Sequence, residues 1–447
     1  MAQNAMVTPR KPATRVPAGR IERVLRFGAM AGGIAANVAF DGARRWLSGD
    51  RAELSDLATS NATAEQLVAH LGRMRGAAMK LGQLLSLEAS AILPPAFTDA
   101  LSMLRAGGDT MTAAQLHRIL GREYGRGWRA RFRHFDEEPV AAASIGQVHR
   151  AVAADGRDLA LKIQFPGIAK SISSDVDNLA MLLKMARILP EDLDVAPFVR
   201  AVKDQLRRET DYLAEAASLR RFRALLADEP DVLVPAPHDD LTTTRILAMD
   251  FVPGKPISTL WEQHSPQAVR NRLAILAQRL VARELFGFGV MQSDPNFANF
   301  FITDEHRLVL LDFGSTVSIA KPTSQLYGRL LAAIMDDDRS RVETIAREFK
   351  WLGRKDTGER AAGLIDLIML AAEPLRTKGI YDYGGSNLPD RAGAAGFDLA
   401  FRRGLRRPPA PELLFVHRKL GGTFHLCARL GACVDSRRIL RPFLDTL

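Results

Sequence analysis

Residues 293–314 read SDPNFANFFITDEHRLVLLDFG, and the spacing of their polar residues decides how the rest of the chain is read. Asp294 is followed five residues later by Asn299, and Asp312-Phe313-Gly314 closes an apolar run, residues 308–311, whose composition predicts a strand. An isolated Asp-Phe-Gly would mark only a strand ending in a turn. Preceded by D-x-x-x-x-N, it marks a phosphoryl-transfer site.

In protein kinases a stretch of this pattern places its first Asp at the acceptor hydroxyl and both its Asn and the Asp of Asp-Phe-Gly on Mg²⁺. By that likeness Asp294 is the candidate catalytic base, and Asn299 and Asp312 are the candidate metal ligands. Upstream, residues 131–164 give three short strand-like runs, around Phe132, over 148–152 and over 159–164, with Asp155-Gly156 as a turn signal, so three antiparallel strands are expected. The first connection, AAASIGQV at residues 141–148, takes the place of a kinase Gly-rich loop. Laid on G-x-G-x-x-G-x-V it keeps Gly146 and Val148 but puts Ala141 and Ala143 at the first two glycines. Those methyls stand where backbone amides would close on phosphate, and alanine restricts positive φ. Ala141, Ala143, Ser144, Gly146 and Val148 are thus candidates for nucleotide contact, in an altered loop.

Ala160-Leu161-Lys162 matches the strand that carries a kinase's phosphate-binding lysine, whose partner is a Glu on a following helix. Residues 197–226 are read as that helix. In their ETDYLAEA segment, Asp211 and Glu215 lie four apart on one face, and Glu215 is the expected partner of Lys162. Residues 166–189 carry a further helical pattern that ordinary kinases do not need. A strand over 245–249 leads into MDFVPG, residues 249–254, read as a hinge where Met249 and Phe251 border an adenine. Ser265-Pro266 caps a long helix through Leu273, Leu276, Leu280 and Phe286. Beyond Gly314 the pattern is helical, with helices expected near 323–335, 340–352, 358–372 and 411–430.

Composition bounds the reading from outside. A chain of 447 residues with 47% hydrophobic content can hold one large two-lobed domain or two ordinary ones. The net charge of +10 raises nucleic acid as a partner, but half of it lies in the first twenty-six residues, where six Arg or Lys face one Glu. No alternation of basic and aromatic residues of the base-stacking kind accompanies it, so no nucleic-acid partner is expected. Cys427 and Cys433 fall inside one apolar helical pattern, which fits a reducing compartment and core packing rather than a disulfide or a metal site.

At the N-terminus, Pro9, Pro12 and Pro17 argue against a helical transit peptide, and a flexible basic tail is expected instead. Residues 27–40 are uncharged and rich in Gly and Ala, too short for an ordinary spanning helix. Gly28 and Gly32 in G-x-x-x-G spacing leave open membrane contact, a homodimer through the glycines, or a small-residue core helix. A helix opens at Thr63 with Gln66 in capping-box spacing and runs to Pro94-Pro95. It carries Lys80 and Gln83, three apart on one face, in the sequence KLGQ.

KLGQ at 80–83, AAASIGQV, Lys162, Glu209-Thr210-Asp211 and DPNFAN at 294–299, standing in this order, make the chain closely resemble the UbiB family of atypical kinase-like proteins. The likeness runs from about residue 20 to the C-terminus, and DPNFANF resembles the branch that includes the mitochondrial coenzyme Q kinases. The resemblance implies an α+β, bilobal protein-kinase-like fold with an N-terminal helical extension carrying KxGQ. It implies an ATPase that binds ATP/ADP with Mg²⁺ and supports ubiquinone biosynthesis, its KxGQ helix packed over the cleft where a protein kinase takes peptide. Carried over by residue, Lys80 and Gln83 would contact Glu209 and Asp211 as a regulatory group, Lys162 would hold phosphate, and Asn299 and Asp312 would hold Mg²⁺.

The expected layout is a basic tail and membrane-proximal segment over 1–48, the KxGQ extension over 49–118, an N-lobe over 119–250 and a helical C-lobe over 251–447. Expected partners are nucleotide, an anionic membrane surface, and quinone-biosynthesis proteins or lipid precursors. The expected setting is cytoplasmic and peripheral to a bacterial inner membrane, with mitochondria as the alternative. Two features depart from ordinary kinases: Gln292-Ser293 replaces the His-Arg before the catalytic Asp, and no activation segment is recognisable. The rival readings are a true kinase for protein or small molecule, and a pseudokinase scaffold that binds nucleotide to hold a biosynthetic complex together.

Overall fold

The computed structural model describes residues 110–143, 145–185, 196–399, 403 and 411–445. The Gly28/Gly32 segment, the helix carrying Lys80 and Gln83, and Ser144 lie outside the described residues. The chain divides into two compact units. One holds the described residues up to Ala216 together with Pro237–Phe251, and the other holds Ala217–Ala236 and Val252 onward.

In chain order the described part opens with helix α1 (Ala113–Tyr124) and strands β1 (Phe132–Phe135), β2 (Ala141–Ala143), β3 (Gly146–Ala153) and β4 (Asp158–Gln164). Helices α2 (Ile168–Met185), α3 (Ala196–Glu209) and α4 (Tyr212–Leu225), then β5 (Val232–Leu233) and β6 (Ile246–Asp250), follow. A capping box between Thr112 and Gln115 starts α1. The sheet of the first unit is antiparallel in the order β1-β3-β4-β6, with β2 also on β3. β4, flanked on both sides, is buried from Leu159 to Gln164, whereas β3 alternates. On β3, Gln147 and His149 point to one buried face. Gln147 Oε1 accepts from the Met111 N–H at 2.8 Å, and Gln147 Nε2 donates to His149 Nε2 at 2.7 Å. His149 Nδ1 donates to the Asp136 carbonyl at 2.8 Å, so its proton sits on Nδ1, and desolvation pushes its pKa down.

The single helix expected over 197–226 is two. α3 ends at Glu209, and Asp211 caps α4 by accepting the Ala214 N–H at 3.1 Å. Gln164 at the end of β4 donates to the Thr210 carbonyl at 2.7 Å and so satisfies the break. Asp211, as a cap, is exposed while Glu215 is buried, so the two do not share a helical face as their spacing suggested.

The second unit carries a sheet in the order β5-β10-β9-β7, with β7 at Lys255–Pro256, β8 at Val290–Gln292, β9 at Phe300–Ile302 and β10 at Leu308–Leu310. Strand β11 (Thr316–Ser318) pairs antiparallel with β8, Thr316 opposite Gln292. A further pair, β12 (Tyr381–Asp382) with β13 (Cys433–Val434), holds Cys433. The stretch beyond Gly314 is therefore not all helical, and Cys433 is not in the helix with Cys427. Strands of two or three residues are too short to impose a period on the sequence.

The longer helices of the unit are α5 (Gln267–Ala282), α6 (Lys321–Met335), α7 (Arg339–Glu348), α8 (Glu359–Ala371), α9 (Leu388–Phe397), α10 (Pro411–Arg429) and α11 (Ser436–Leu444). Its core gathers Val281, Leu285, Met291, Tyr327, Leu330, Val342, Ile365 and Val416. α5 runs on into a wide π turn, Arg283–Phe288.

Candidate functional site

In the first unit, β4 delivers Lys162 and α4 delivers Glu215. Lys162 Nζ donates to Glu215 Oε1 at 2.7 Å, with side-chain exposures of 7% and 0%. The Tyr212 ring lies 5.3 Å from the same ammonium, adding a cation–π contact. Lys162 and Gln164 are two apart on the strand and share a face, so one strand fixes both the ion pair and the α3–α4 break. Glu209 is buried at the end of α3.

The alanine loop is a tight hairpin. Ala141 stands opposite Val148 and Ala143 opposite Gly146, and the hairpin tip is tied down where the Phe165 N–H donates to the Ile145 carbonyl at 2.9 Å. Ile145 itself is 1% exposed. Neither alanine has positive φ, so the expected backbone restriction does not apply; both sit in ordinary extended strand. A Cβ at Gly146 would overlap the Ile163 carbonyl, so that glycine permits close approach of β4.

Of the adenine-bordering pair, Met249 is buried in β6. Phe251 spends its N–H on the Asp158 carbonyl at 2.9 Å and carries the Arg150 guanidinium over its ring at 4.4 Å. The Phe251 N–H is thus no donor for a base.

In the second unit, Asp294, Asn299 and Asp312 are joined by short links. Asn299 Nδ2 donates to Asp294 Oδ2 at 3.3 Å, and the Leu311 N–H donates to the Asn299 carbonyl at 3.2 Å. A carboxylate only accepts, so it is the NH₂ of Asn299 that meets Asp294, and that bond does not use its side-chain oxygen. Asp312 Oδ1 accepts the Gly314 N–H at 2.9 Å, and Phe313 is buried against Phe222 with ring centroids 4.7 Å apart. Gln292, in the place of a kinase histidine, donates from Nε2 to the carbonyls of Asp294 at 2.7 Å and Asp312 at 3.3 Å.

The support for this group comes from α10, which sequence reasoning took only as an apolar helix. Arg418 Nη2 donates to Asp294 Oδ1 at 3.0 Å, both side chains being 3% exposed. Lys419 Nζ donates to Gln292 Oε1 at 2.9 Å and pairs with Glu284 at 3.3 Å. Glu284 lies in the π turn, and such turns recur at functional sites. Burial pushes its carboxyl pKa up, and the Lys419 ammonium draws it back down. The one sequence signal for this face was Gly421-Gly422 inside a helical pattern, since a helix-interior glycine costs about 1 kcal/mol relative to alanine.

Among the described residues no cluster of three or more His, Cys, Asp or Glu is placed to hold a metal. One carboxylate and one amide oxygen, Asp312 and Asn299, fit instead the Mg²⁺ pattern in which phosphate oxygens and waters complete the shell. Among the described residues no helix is long and apolar enough to cross a membrane.

Residues 104–346 match the model of the ABC1 atypical kinase-like domain. Over 448 residues the chain is 36% identical to "Atypical kinase COQ8B, mitochondrial" of Rattus norvegicus, covering 100% of this chain and 84% of that protein. It is 36% identical over 442 residues to "Atypical kinase coq-8, mitochondrial" of Caenorhabditis elegans, covering 97% of this chain but only 58% of that protein. A solved structure of Rv3197 with erythromycin, from Mycobacterium tuberculosis, aligns at a TM-score of 0.58 and 24% identity over 85% of this chain and 94% of that one. That last likeness is one of fold, and the fold is the mixed helix-and-sheet, kinase-like one expected from the motifs.

Proposed function

The chain belongs to the ABC1 atypical kinase-like family, with homology to the COQ8 and UbiB atypical kinases along its whole length, and on that premise we propose that it is a Mg²⁺-dependent, nucleotide-binding ATPase supporting ubiquinone synthesis at a membrane surface. The observation that carries the reading is the buried Lys162–Glu215 pair at 2.7 Å. Burying an ion pair is often no more stabilising than an apolar pair of the same volume, so its presence here points to a role beyond stability. In kinases that role is to hold a lysine for nucleotide phosphates.

Lys162 would hold phosphate, with Glu215 keeping the ammonium in place. Asn299 and Asp312 would hold Mg²⁺, which when bound neutralises phosphate charge. Asp294 has one oxygen on Arg418 and the other on Asn299, which suits an orienting carboxylate better than a proton acceptor. The pairing of Ala141–Ala143 with Gly146–Val148, with alanines where a kinase loop has glycines, favours slow turnover over efficient transfer to a protein. Glu209 and Asp211 are proposed to receive Lys80 and Gln83 of the extension, and the basic tail is proposed to seek anionic lipid. The names of the relatives favour a second reading, phosphoryl transfer to an acceptor other than water. Release of phosphate against incorporation of label, measured on one preparation, separates the two.

The reading is tested by thermal-shift titration with ATP at fixed Mg²⁺. Asp312→Asn removes the anionic ligand, and the Mg²⁺-dependent part of the stabilisation is expected to fall by about tenfold or more in affinity. Equal Mg²⁺-dependent stabilisation of wild type and variant would take Asp312 out of the metal site.

A further inference from the structure

We infer that Arg418 is a positioning residue for the candidate metal ligands of the second unit, acting on Asn299 through Asp294. The inference rests on the reading of Asn299 and Asp312 as Mg²⁺ ligands and adds to it the residue that aims one of them. Arg418, Gly422 and His425 are spaced four and three apart, so they share one face of α10. Each meets a different residue of the loop 294–299. Arg418 bonds Asp294 at 3.0 Å, and His425 stacks on Phe297 with ring centroids 5.5 Å apart and planes at 16°. Gly422 lies so close to Pro295 that a Cβ there would overlap the pyrrolidine ring.

This face is shaped to the loop at a cost to the helix. Glycine in a helix interior is unfavourable, and a guanidinium at 3% exposure needs a partner to be tolerated at all. What the two features jointly achieve is a relay. Arg418 takes Asp294 Oδ1 and Asp294 Oδ2 takes the Asn299 NH₂, so the bond to Asp294 engages the nitrogen of the Asn299 amide and not the oxygen that a metal would need. Beside it, Lys419 holds Gln292, whose amide gathers the carbonyls of Asp294 and Asp312. The His-Arg support of an ordinary kinase is thereby divided between Gln292 in the strand and Arg418 on a helix 124 residues beyond Asp294.

The experiment measures, for the full-length chain, the Mg²⁺ concentration at half-maximal ADP-induced thermal stabilisation, with EDTA and ligand-free controls. Wild type, Arg418→Lys, Asp294→Asn and the double variant are compared. Lysine keeps the charge but not the reach and planarity of the guanidinium. Arg418→Lys is expected to raise the Mg²⁺ midpoint about 10–100-fold, as loss of a residue behind a metal ligand does. ADP binding in EDTA stays unchanged. In the Asp294→Asn background the same substitution is expected to move the midpoint by about twofold or less, because the relay is already cut.

Should Arg418→Lys fail to fold, Gly422→Ala shifts the same helix face without touching a charge and is expected to raise the midpoint as well, while Gly421→Ala, with open space around it, is not. An unmoved midpoint in Arg418→Lys, or in Gly422→Ala where that is the variant that folds, overturns the inference, as do effects that simply multiply in the double variant. A wild-type chain that shows no Mg²⁺-dependent stabilisation overturns the functional reading itself, a result distinct from either.

Discussion

Lys162 and Glu215 in the first unit are carried by a buried central strand and the first turn of a helix, and a 2.7 Å bond joins them directly. Asp294, Asn299 and Asp312 in the second unit sit on loops and a short 3-10 turn beside three-residue strands. Arg418 holds the Asp294 side chain from a distant helix, Asn299 bonds Asp294 in turn, and Gln292, held by Lys419, gathers the main-chain carbonyls of Asp294 and Asp312. The difference follows from what each backbone supplies. A side chain on a regular element inherits its direction from the element, while one on a loop must have its direction imposed by neighbours. The second arrangement thus depends on a distant helix face in a way the first does not.

The largest effect expected from testing this contrast lies in the first unit. Lys162→Ala leaves Glu215 buried without its cation and is expected to cost about 3–5 kcal/mol in urea unfolding, whereas Lys162→Met with Glu215→Leu is expected to restore stability while nucleotide binding stays lost. Full stability in the single variant would mean that Glu215 is not held charged by this pair.

Within α10 the contrast is sharper still. Gly422→Ala is expected to cost about 1–3 kcal/mol through overlap with Pro295, and Gly421→Ala, one residue away and exposed, to gain up to about 1 kcal/mol from helix propensity. Equal unfolding midpoints for these neighbours would deny the close approach of helix and loop.

A pH scan probes the other face of the same helix. His417 packs against the Tyr327 and Trp351 rings, and burial pushes its pKa down to about 4. The unfolded chain therefore binds this proton first, near pH 6.5, so stability is full above that pH and is lost as pH falls toward 4. A loss of about 1–2 kcal/mol between pH 7 and 5 is expected, absent in His417→Phe. A difference between pH 7 and 5 that survives the substitution would assign it elsewhere, with His149 in the first unit as the next group to test.

The smallest effect concerns the hairpin. Ala141→Gly and Ala143→Gly are each expected to lower stability by about 0.5–1 kcal/mol, because glycine gives up more freedom in a strand. Each is also expected to tighten ATP binding and raise autophosphorylation as the freed amides reach phosphate. Since both alanines already lie in relaxed strand geometry, the gain comes from loosening and not from relief of strain. Unchanged ATP affinity in both variants would leave the alanines as mere strand residues.

How much of this could be read from the chain depends on how local each feature is. D-x-x-x-x-N, Asp-Phe-Gly, the lysine strand and the choice of Glu215 are set by short spacings, and the strands and helices that carry them follow from periodicity over a few residues. The break at Thr210-Asp211 was missed because Gln164 satisfies it from another element, and helix periodicity continues across it. The strands at 316–318, 381–382 and 433–434 were missed because each exists only through its partner.

The sequence by itself determined which groups of the kinase-like pattern are present and in what order, since their chemistry and spacing are written in contiguous residues. Only the tertiary structure decided that Arg418 and Lys419 stand behind them, that Gln292 ties the two acid-bearing segments together, and that Gly422 must be glycine. The physical reason is that a helix face acquires meaning from what packs against it. Nothing within residues 411–429 encodes Pro295 or Asp294, so a buried cation there is legible only once the loop is seen against it.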